Sequence, residues 1–333
     1  MKAFVTGGGG FLGKAIIKQL IERGYQVSSY SRSPYPQLDK LGVKHFQGDL
    51  NDFDKLVKAM KGHDIVFHVA AKAGIWGEYS DFYNANVIGT QNILKACRKL
   101  NIKKLIYTST PSVIYNGSGI EGANESIPYP QKFEAHYPQT KAIAEKLVIN
   151  ANDNQLATVS LRPHLIWGPE DHHFLPRLVS KAQSGKLRLI GDKRYLVDCI
   201  YIDNAAKAHI LAAEKLDIGS DIAGKVYFIT QGKPIYIDEL INGILHAANV
   251  EPVNKKVSFN VAYLAGSVLE SAYSFLNMKS EPPLTKFMVK QLATPHWFDN
   301  SASVKDLGFY ADISVEEGFK RLKDWVNTSS TIA

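Results

Sequence analysis

Tyr137-Pro138-Gln139-Thr140-Lys141 sets a phenol and an ammonium four residues apart, at the head of a segment in which Ala142, Ile143, Leu147 and Val148 keep a helical apolar rhythm. Four residues is about one helical turn, so both side chains share a face. An ammonium beside a phenol favours phenolate and draws its pKa down from about 10. A phenol brought toward working pH can give a proton to a carbonyl oxygen or take one from an alcohol. Alone, the pair carries little weight, because exposed helices produce Tyr-x-x-x-Lys by chance. Two other stretches give it context. Thr6-Gly7-Gly8-Gly9-Gly10-Phe11-Leu12-Gly13 has glycine at 7, 10 and 13, where a tight turn, a close approach to phosphate and close helix packing leave no room for side chains. Tyr107-Thr108-Ser109-Thr110-Pro111-Ser112 gathers hydroxyls able to hold a substrate oxygen.

These groups need elements to position them. Lys2 to Thr6, Gln26 to Tyr30, Val43 to Gln47, Asp64 to Val69, Lys104 to Thr108 and Thr158 to Arg162 read as strands, with helix-period segments between most of them. Phe11, Leu12, Ala15, Ile16, Ile17, Leu20 and Ile21 form one apolar helix face, so the glycine loop lies between a strand and the helix whose N-terminal amides attract an anion. Alternation of this kind predicts an α/β fold with a Rossmann-type, doubly wound parallel sheet. After Arg162 the rhythm breaks at Pro163, Pro169 and Pro176. Short strands follow near 187–190 and 197–202, Val226 to Thr230 returns to the sheet, and the chain is mostly helical from Ile237. The expected division is a nucleotide-binding domain over 1–165, with a return segment near 200–230, and a smaller, mostly helical substrate lobe over 166–199 and 231–333.

Composition narrows the class. With 333 residues, 45% hydrophobic and 21% charged, the chain is globular rather than disordered or fibrous. Cys97 and Cys199 fit neither a disulfide framework nor a zinc site. The N-terminus runs straight into a strand pattern without a leader, so a cytoplasmic location is expected. Pro169-Glu170-Asp171-His172-His173 lacks ligand spacing, and no metal is expected. The 39 Lys and Arg against 32 Asp and Glu give +7. No basic run interleaves with aromatics, so nucleic acid is not an expected partner. Val261, Leu264, Ala265, Val268, Leu269, Tyr273 and Leu276 mark 261–276 as an amphipathic helix, suited to docking on the substrate lobe or to contact with a membrane or a partner enzyme.

The spacing Thr-Gly-x-x-Gly-Phe-Leu-Gly, joined to Tyr137-x-x-x-Lys141, resembles the extended short-chain dehydrogenase/reductase superfamily. Asp198 to His209 and Leu161 to Pro169 resemble its 3β-hydroxysteroid dehydrogenase-like group. The resemblance covers essentially the whole chain and implies a nicotinamide dinucleotide held by Gly7, Gly10, Phe11, Leu12 and Gly13. It adds Asp49 and Leu50 at the adenine, Ala70 and Ala71 along the cofactor, and Pro163 beside the nicotinamide. It implies Thr110 as the hydroxyl that orients the substrate oxygen, with Ser109 and Ser112 as fallbacks, Tyr137 as proton donor, and Lys141 on the ribose hydroxyls and as the tuner of Tyr137. It makes Asn86 structural, a tie between adjacent strands. NAD-preferring members end the second strand in a carboxylate; here Tyr30-Ser31-Arg32-Ser33 has none, and Arg32 with Ser31 can pair with a 2′-phosphate, which points to NADP (NADPH). Within the group, Val69 to Gly77, Glu134 to Pro138 and Arg162 to Pro169 resemble the bacterial β-keto acid reductases of long-chain olefin biosynthesis. The implied reaction is NADPH-dependent reduction of a 2-alkyl-3-oxoalkanoate to a 2-alkyl-3-hydroxyalkanoate. Lys72 and His164 are candidate anchors for the carboxylate, against plain readings as a solvated Lys and a packed His. The alternatives are a 3β-hydroxysteroid or sterol dehydrogenase acting on a hydrophobic alcohol, and a noncatalytic NADPH-binding regulator. The resemblance also implies a homodimer through about 86–100 and 137–151.

Overall fold

Six segments in the first half of the chain become parallel strands: β1 (Lys2–Thr6), β2 (Gln26–Ser31), β3 (Lys44–Gln47), β4 (Ile65–His68), β5 (Lys104–Thr108) and β6 (Ala157–Pro163). A seventh, β7 (Val226–Ile229), returns to pair with β6, completing the order β7-β6-β5-β4-β1-β2-β3. The computed structural model describes residues 1–329. All of β6 is buried, as is β1 after Lys2, which is why these strands read as near-continuous apolar runs rather than alternating ones. The chain runs outward from β1 through β2 to β3, then crosses back to lay β4 on the other side of β1. That reversal is the switch point at which open α/β sheets bind ligands.

Helices cover both faces. Phe11–Glu22 buries Leu12, Ala15, Ile16, Ile17 and Leu20 and packs against Ile202–Lys215, whose buried side is rich in alanine and so permits close approach. Gly24, with φ of +75°, follows the first of these two helices in the left-handed conformation that commonly ends one. On the other face, Ile93, Leu94, Ala96 and Cys97 of Gly89–Lys99 join Ala144 and Val148 of His136–Asn150 in a second core.

The later segments build a second group of elements with its own four-stranded sheet, in the order Ile235–Tyr236, Leu196–Val197, His296–Phe298, Ile120–Ala123. The last of these strands comes from the first half of the chain and ties the two groups together. Around this sheet lie the helices Phe174–Gln183, Ile237–Ala247, Phe259–Phe275, Lys286–Leu292 and Val315–Thr328. The single strand expected over 197–202 is instead divided. Leu196–Val197 joins this sheet, Ile200–Tyr201 pairs with Ile166–Trp167, and Ile202 already begins a helix. Asp198 makes the break: its amide donates to the His296 carbonyl while its carboxylate accepts the Phe298 amide at 2.7 Å, so the chain leaves one sheet at that residue.

Candidate active site

The glycine loop closes the end of β1. Gly7 has φ of +68°, a left-handed conformation that costs glycine nothing, and a Cβ there would lie 2.9 Å from the Ala70 Cα. A Cβ at Gly13 would lie 2.3 Å from the Gly7 carbonyl oxygen, so glycine at 13 lets the first turn of the helix press onto the loop. Gly10 has an ordinary φ of −77°, and a Cβ there would touch only the Gly7 carbonyl, at 3.2 Å. Its bareness keeps the surface over the helix N-terminus open. That terminus has no side-chain cap and no carboxylate in its first turn, so its amides and dipole face an open cradle suited to a pyrophosphate. The residues therefore fit a dinucleotide. Gly13→Ala is expected to displace the loop, weaken dinucleotide binding at least tenfold and cost about 1–3 kcal/mol of stability by overpacking; a fluorescence titration giving wild-type affinity would contradict this packing argument.

The end of β1 is wired to the end of β4. His68 is buried between two hydroxyls: Thr90 Oγ1 donates to the Asn86 carbonyl, so it accepts from His68 Nε2 at 3.0 Å, leaving Nδ1 to accept from Thr6 Oγ1 at 2.8 Å. Thr6 Oγ1 in turn accepts the amides of Val69 and Ala70, each at 3.1 Å. Burial keeps His68 neutral, pushing its pKa down to about 3. The network sets the backbone at Ala70 and Ala71 against the glycine loop. It also involves Thr6, His68 and Thr90, which motif spacing did not single out.

The phenol and the lysine share one face of His136–Asn150, as their spacing required. Thr110 caps the short helical turn Pro111–Ile114 by accepting the Ser112 amide, and its hydroxyl reaches Tyr137. The structure thus brings Thr110, Tyr137 and Lys141 together. Ser112 bonds to Thr110 Oγ1 at 3.2 Å, whereas the Ser109 hydroxyl is buried with no partner. The expected tuning of the phenol is not what this arrangement does. Tyr137 is half-buried overall, but its hydroxyl end is desolvated, which pushes its pKa up to about 12, with the Thr110 hydrogen bond pulling the other way. Lys141 Nζ donates to the Thr108 carbonyl at 2.7 Å and lies 4.2 Å over the Tyr107 ring. Burial draws Lys141 down to about 7, opposed by the charge of Glu145. The ammonium is weakened by the same desolvation that keeps the phenol protonated.

Beneath this face lies a buried ion pair that the motifs did not reveal. Arg162 of β6 donates through Nε and Nη2 to both oxygens of Glu145, at 3.0 and 2.6 Å, and Tyr129 Oη donates to the same carboxylate at 2.6 Å. Glu145 is one turn beyond Lys141, so the pair fixes the helix to the sheet directly below the lysine. Asn86 fixes the other end: its amide holds the Lys72 backbone on both sides and donates to Thr140 Oγ1 at 3.1 Å. It sits in a π-helical turn, Tyr83–Ile88, a widened geometry that recurs at functional sites. Asn86 therefore ties the loop after β4 to the helix of Tyr137, rather than tying strand to strand.

The other expected cofactor residues line the C-terminal edge of the sheet. Ser31 ends β2, and the exposed Arg32 follows it, with its carbonyl held by Gln47 Nε2 at 2.9 Å. Tyr30 Oη donates to the Asp49 carbonyl at 2.9 Å, and the half-buried Leu50 follows. Tyr35 lies across the loop, since a Cβ at Gly9 would meet its ring at 2.2 Å. Pro163 is buried at the end of β6. Neither candidate carboxylate anchor is free. Lys72 Nζ is paired with Asp81 at 2.7 Å. His296 Nε2 donates to the Gln291 carbonyl, so His164 Nε2 donates to His296 Nδ1 at 2.7 Å, and burial holds His164 neutral.

Next to these segments opens a cavity of about 530 Å³ with a largely apolar wall, including Ala73, Ile75, Leu165, Phe174, Ile241 and Phe287. Arg177, Lys181, Arg188 and Lys193 stand around its rim. Ala73 and Leu165 each lie within two residues of an expected cofactor position, Ala71 or Pro163, so the cavity begins where the cofactor segments end.

Comparison with known proteins agrees with this layout. The model of the 3-beta hydroxysteroid dehydrogenase/isomerase family matches residues 4–260. The 2-alkyl-3-oxoalkanoate reductase of Stenotrophomonas maltophilia (strain K279a) is 49% identical over 97% of this chain and 98% of its own length. The sterol-4-alpha-carboxylate 3-dehydrogenase, decarboxylating, of Mus musculus is 33% identical over 96% of this chain and 89% of its own length. In fold, the chain resembles the UDP-glucuronic acid 4-epimerase from Bacillus cereus solved with NAD, with a TM-score of 0.74, 22% identity, and coverage of 98% of this chain and 99% of that one.

Proposed function

We propose, from the premise that this chain belongs to the 3-beta hydroxysteroid dehydrogenase/isomerase family, that it is an NADPH-dependent reductase of 2-alkyl-3-oxoalkanoates, yielding 2-alkyl-3-hydroxyalkanoates. Membership makes it a nicotinamide-dependent oxidoreductase acting on CH–OH and C=O groups of small molecules. The observation that carries the finer reading is the apolar cavity running on from the segments that hold Ala71 and Pro163, because a β-keto acid with long alkyl arms is mostly hydrocarbon.

The reduced nicotinamide, when bound, supplies the hydride. The chain supplies the rest. Tyr137 Oη keeps its proton at neutral pH because its surroundings disfavour phenolate, so it is ready to donate to the ketone oxygen. Thr110 Oγ1, within reach of the phenol, offers a second hydrogen bond that orients the same oxygen. Lys141, held by the Thr108 carbonyl and the Tyr107 ring, presents its remaining donors to ribose hydroxyls. Gly7, Gly10, Phe11, Leu12 and Gly13 cradle the pyrophosphate, Asp49 and Leu50 border the adenine, and Ala70, Ala71 and Pro163 flank the nicotinamide arm. The first lobe is thus the cofactor domain and the second the substrate lobe. Helices Gly89–Lys99 and His136–Asn150 would pair in a homodimer, which sedimentation at several concentrations tests.

NADPH preference rests on Arg32 and Ser31, which leave no carboxylate at the end of β2. The double variant Ser31→Asp, Arg32→Ala is expected to lower kcat/KM for NADPH at least tenfold and to raise it for NADH. Unchanged preference in steady-state assays with both cofactors would remove Arg32 from this role.

A further inference from the structure

The helix Phe259–Phe275 is turned inside out. Only Ala262 and Gly266 of its 17 residues are buried, and a Cβ at Gly266 would lie 3.0 Å from the Thr285 carbonyl carbon, so small residues make the close contact with the helix Lys286–Leu292. Tyr263, Leu269 and Tyr273 are half-buried beside them, but four of its large apolar residues point the other way. Val261, Leu264, Val268 and Phe275 are 60%, 66%, 59% and 88% exposed. At helical spacing these four fall on one narrow face, opposite the buried pair. Leu276 and Met278 extend the exposed apolar surface past the helix end. Such a contiguous patch marks a contact surface.

Charge indicates which contact. The helix carries one carboxylate, Glu270, paired with Lys286 at 3.2 Å. Exposed Lys255 and Lys256 precede the helix, and exposed Lys279 follows it. A convex apolar ridge with lysines at both ends suits the headgroup region of an anionic bilayer, where aliphatic side chains enter the acyl boundary and lysines meet phosphates. The ridge also leads to the cavity. Trp76 Nε1 donates to the Met278 carbonyl at 2.9 Å and its ring meets Tyr273 edge-on at 6.2 Å, while the adjoining Ala73, Gly74 and Ile75 line the cavity. Met288 and Leu292, on the helix under the ridge, line it too. Taking a methylene at roughly the 30 Å³ share of a water molecule, the cavity of about 530 Å³ holds about 18 carbons, near the length of one long alkyl arm.

We infer that the ridge Val261–Met278 docks on an anionic lipid surface and sets the cavity mouth at the interface, so that a two-armed keto acid enters from the bilayer. Among the described residues no helix is long and apolar enough to cross a membrane, so the contact is peripheral. The substrate part of this inference rests on the reading of the chain as a long-chain keto acid reductase; the docking does not.

Flotation of the full chain with vesicles tests it. Wild-type protein is expected to float with vesicles of phosphatidylcholine containing about a quarter phosphatidylglycerol, and at least fivefold less with phosphatidylcholine alone. Leu264→Glu with Val268→Glu should reduce flotation about fivefold or more, as should Lys255→Gln and Lys279→Gln together. Both variants are expected to keep wild-type melting and wild-type turnover of a short-chain 2-alkyl-3-oxo acid, which separates loss of docking from loss of the reductase itself. Failure of the wild type to float, or equal flotation of wild type and the glutamate variant, overturns the inference. A wild type that fails to float and loses a subunit on the glutamate substitutions would assign the ridge to a second copy of the chain instead.

Discussion

Replacing Tyr137 by Phe is expected to leave NADPH affinity within about threefold of wild type and to lower turnover by roughly 10²–10⁴-fold, the range general acid catalysis contributes. The substitution removes one oxygen from a ring that remains packed on the same helix face, so the glycine loop and the cofactor segments keep their geometry. What is lost is the phenolic proton held beside Thr110. Titration by cofactor fluorescence and single-turnover kinetics separate the two effects. A variant that binds NADPH normally but keeps more than about a tenth of wild-type turnover would show that another group protonates the oxygen. Thr110→Ala should do less, since it takes away an orienting hydrogen bond and leaves the donor.

The second large effect falls on stability. Glu145→Leu is expected to cost about 3–5 kcal/mol, because it strands the Arg162 guanidinium in a site where both partners are almost wholly enclosed. Arg162 Nη1 already has no partner there. The double variant Glu145→Leu, Arg162→Leu should recover much of that loss, since it leaves no uncompensated charge. Denaturant melts of the two single variants and the double one check this, and equal melting of Glu145→Leu and wild type would contradict it. Glu145 also opposes the desolvation of Lys141. The milder Glu145→Gln should therefore move the titration seen in the pH dependence of NADPH affinity to lower pH, an effect that loss of packing alone does not produce.

Residues that work through local geometry could be read directly from the chain. The glycines of the loop and the Tyr137–Lys141 pair depend on fixed spacings within one turn or one helix, and the central strands of the main sheet are apolar runs whose burial on both faces leaves a plain signature. Glu145 was within the same reach, four residues beyond Lys141, but its meaning depends on Arg162, which only the packing of helix on sheet brings to it. The network of Thr6, His68 and Thr90 was hidden for the same reason: each residue alone is an ordinary polar side chain, two at strand ends and one at the start of a helix. The second sheet was least legible, because strands of two to four residues drawn from distant segments have no periodicity to detect. The pKa of Tyr137 went the other way from the sequence argument because spacing shows which charges are neighbours but not how much water they keep. In the folded chain desolvation outweighs the ammonium, which instead turns to the Thr108 carbonyl.

The most direct test of the proposed function follows cofactor absorbance as the purified chain meets a 2-alkyl-3-oxoalkanoic acid with NADPH, and a 3β-hydroxysteroid with NADP⁺, with products identified by mass spectrometry. The expected result is oxidation of one NADPH for each keto acid converted to the 2-alkyl-3-hydroxy acid, abolished in Tyr137→Phe, with little or no turnover of the steroid. Steroid oxidation without keto acid reduction, or cofactor binding with neither reaction, would contradict it.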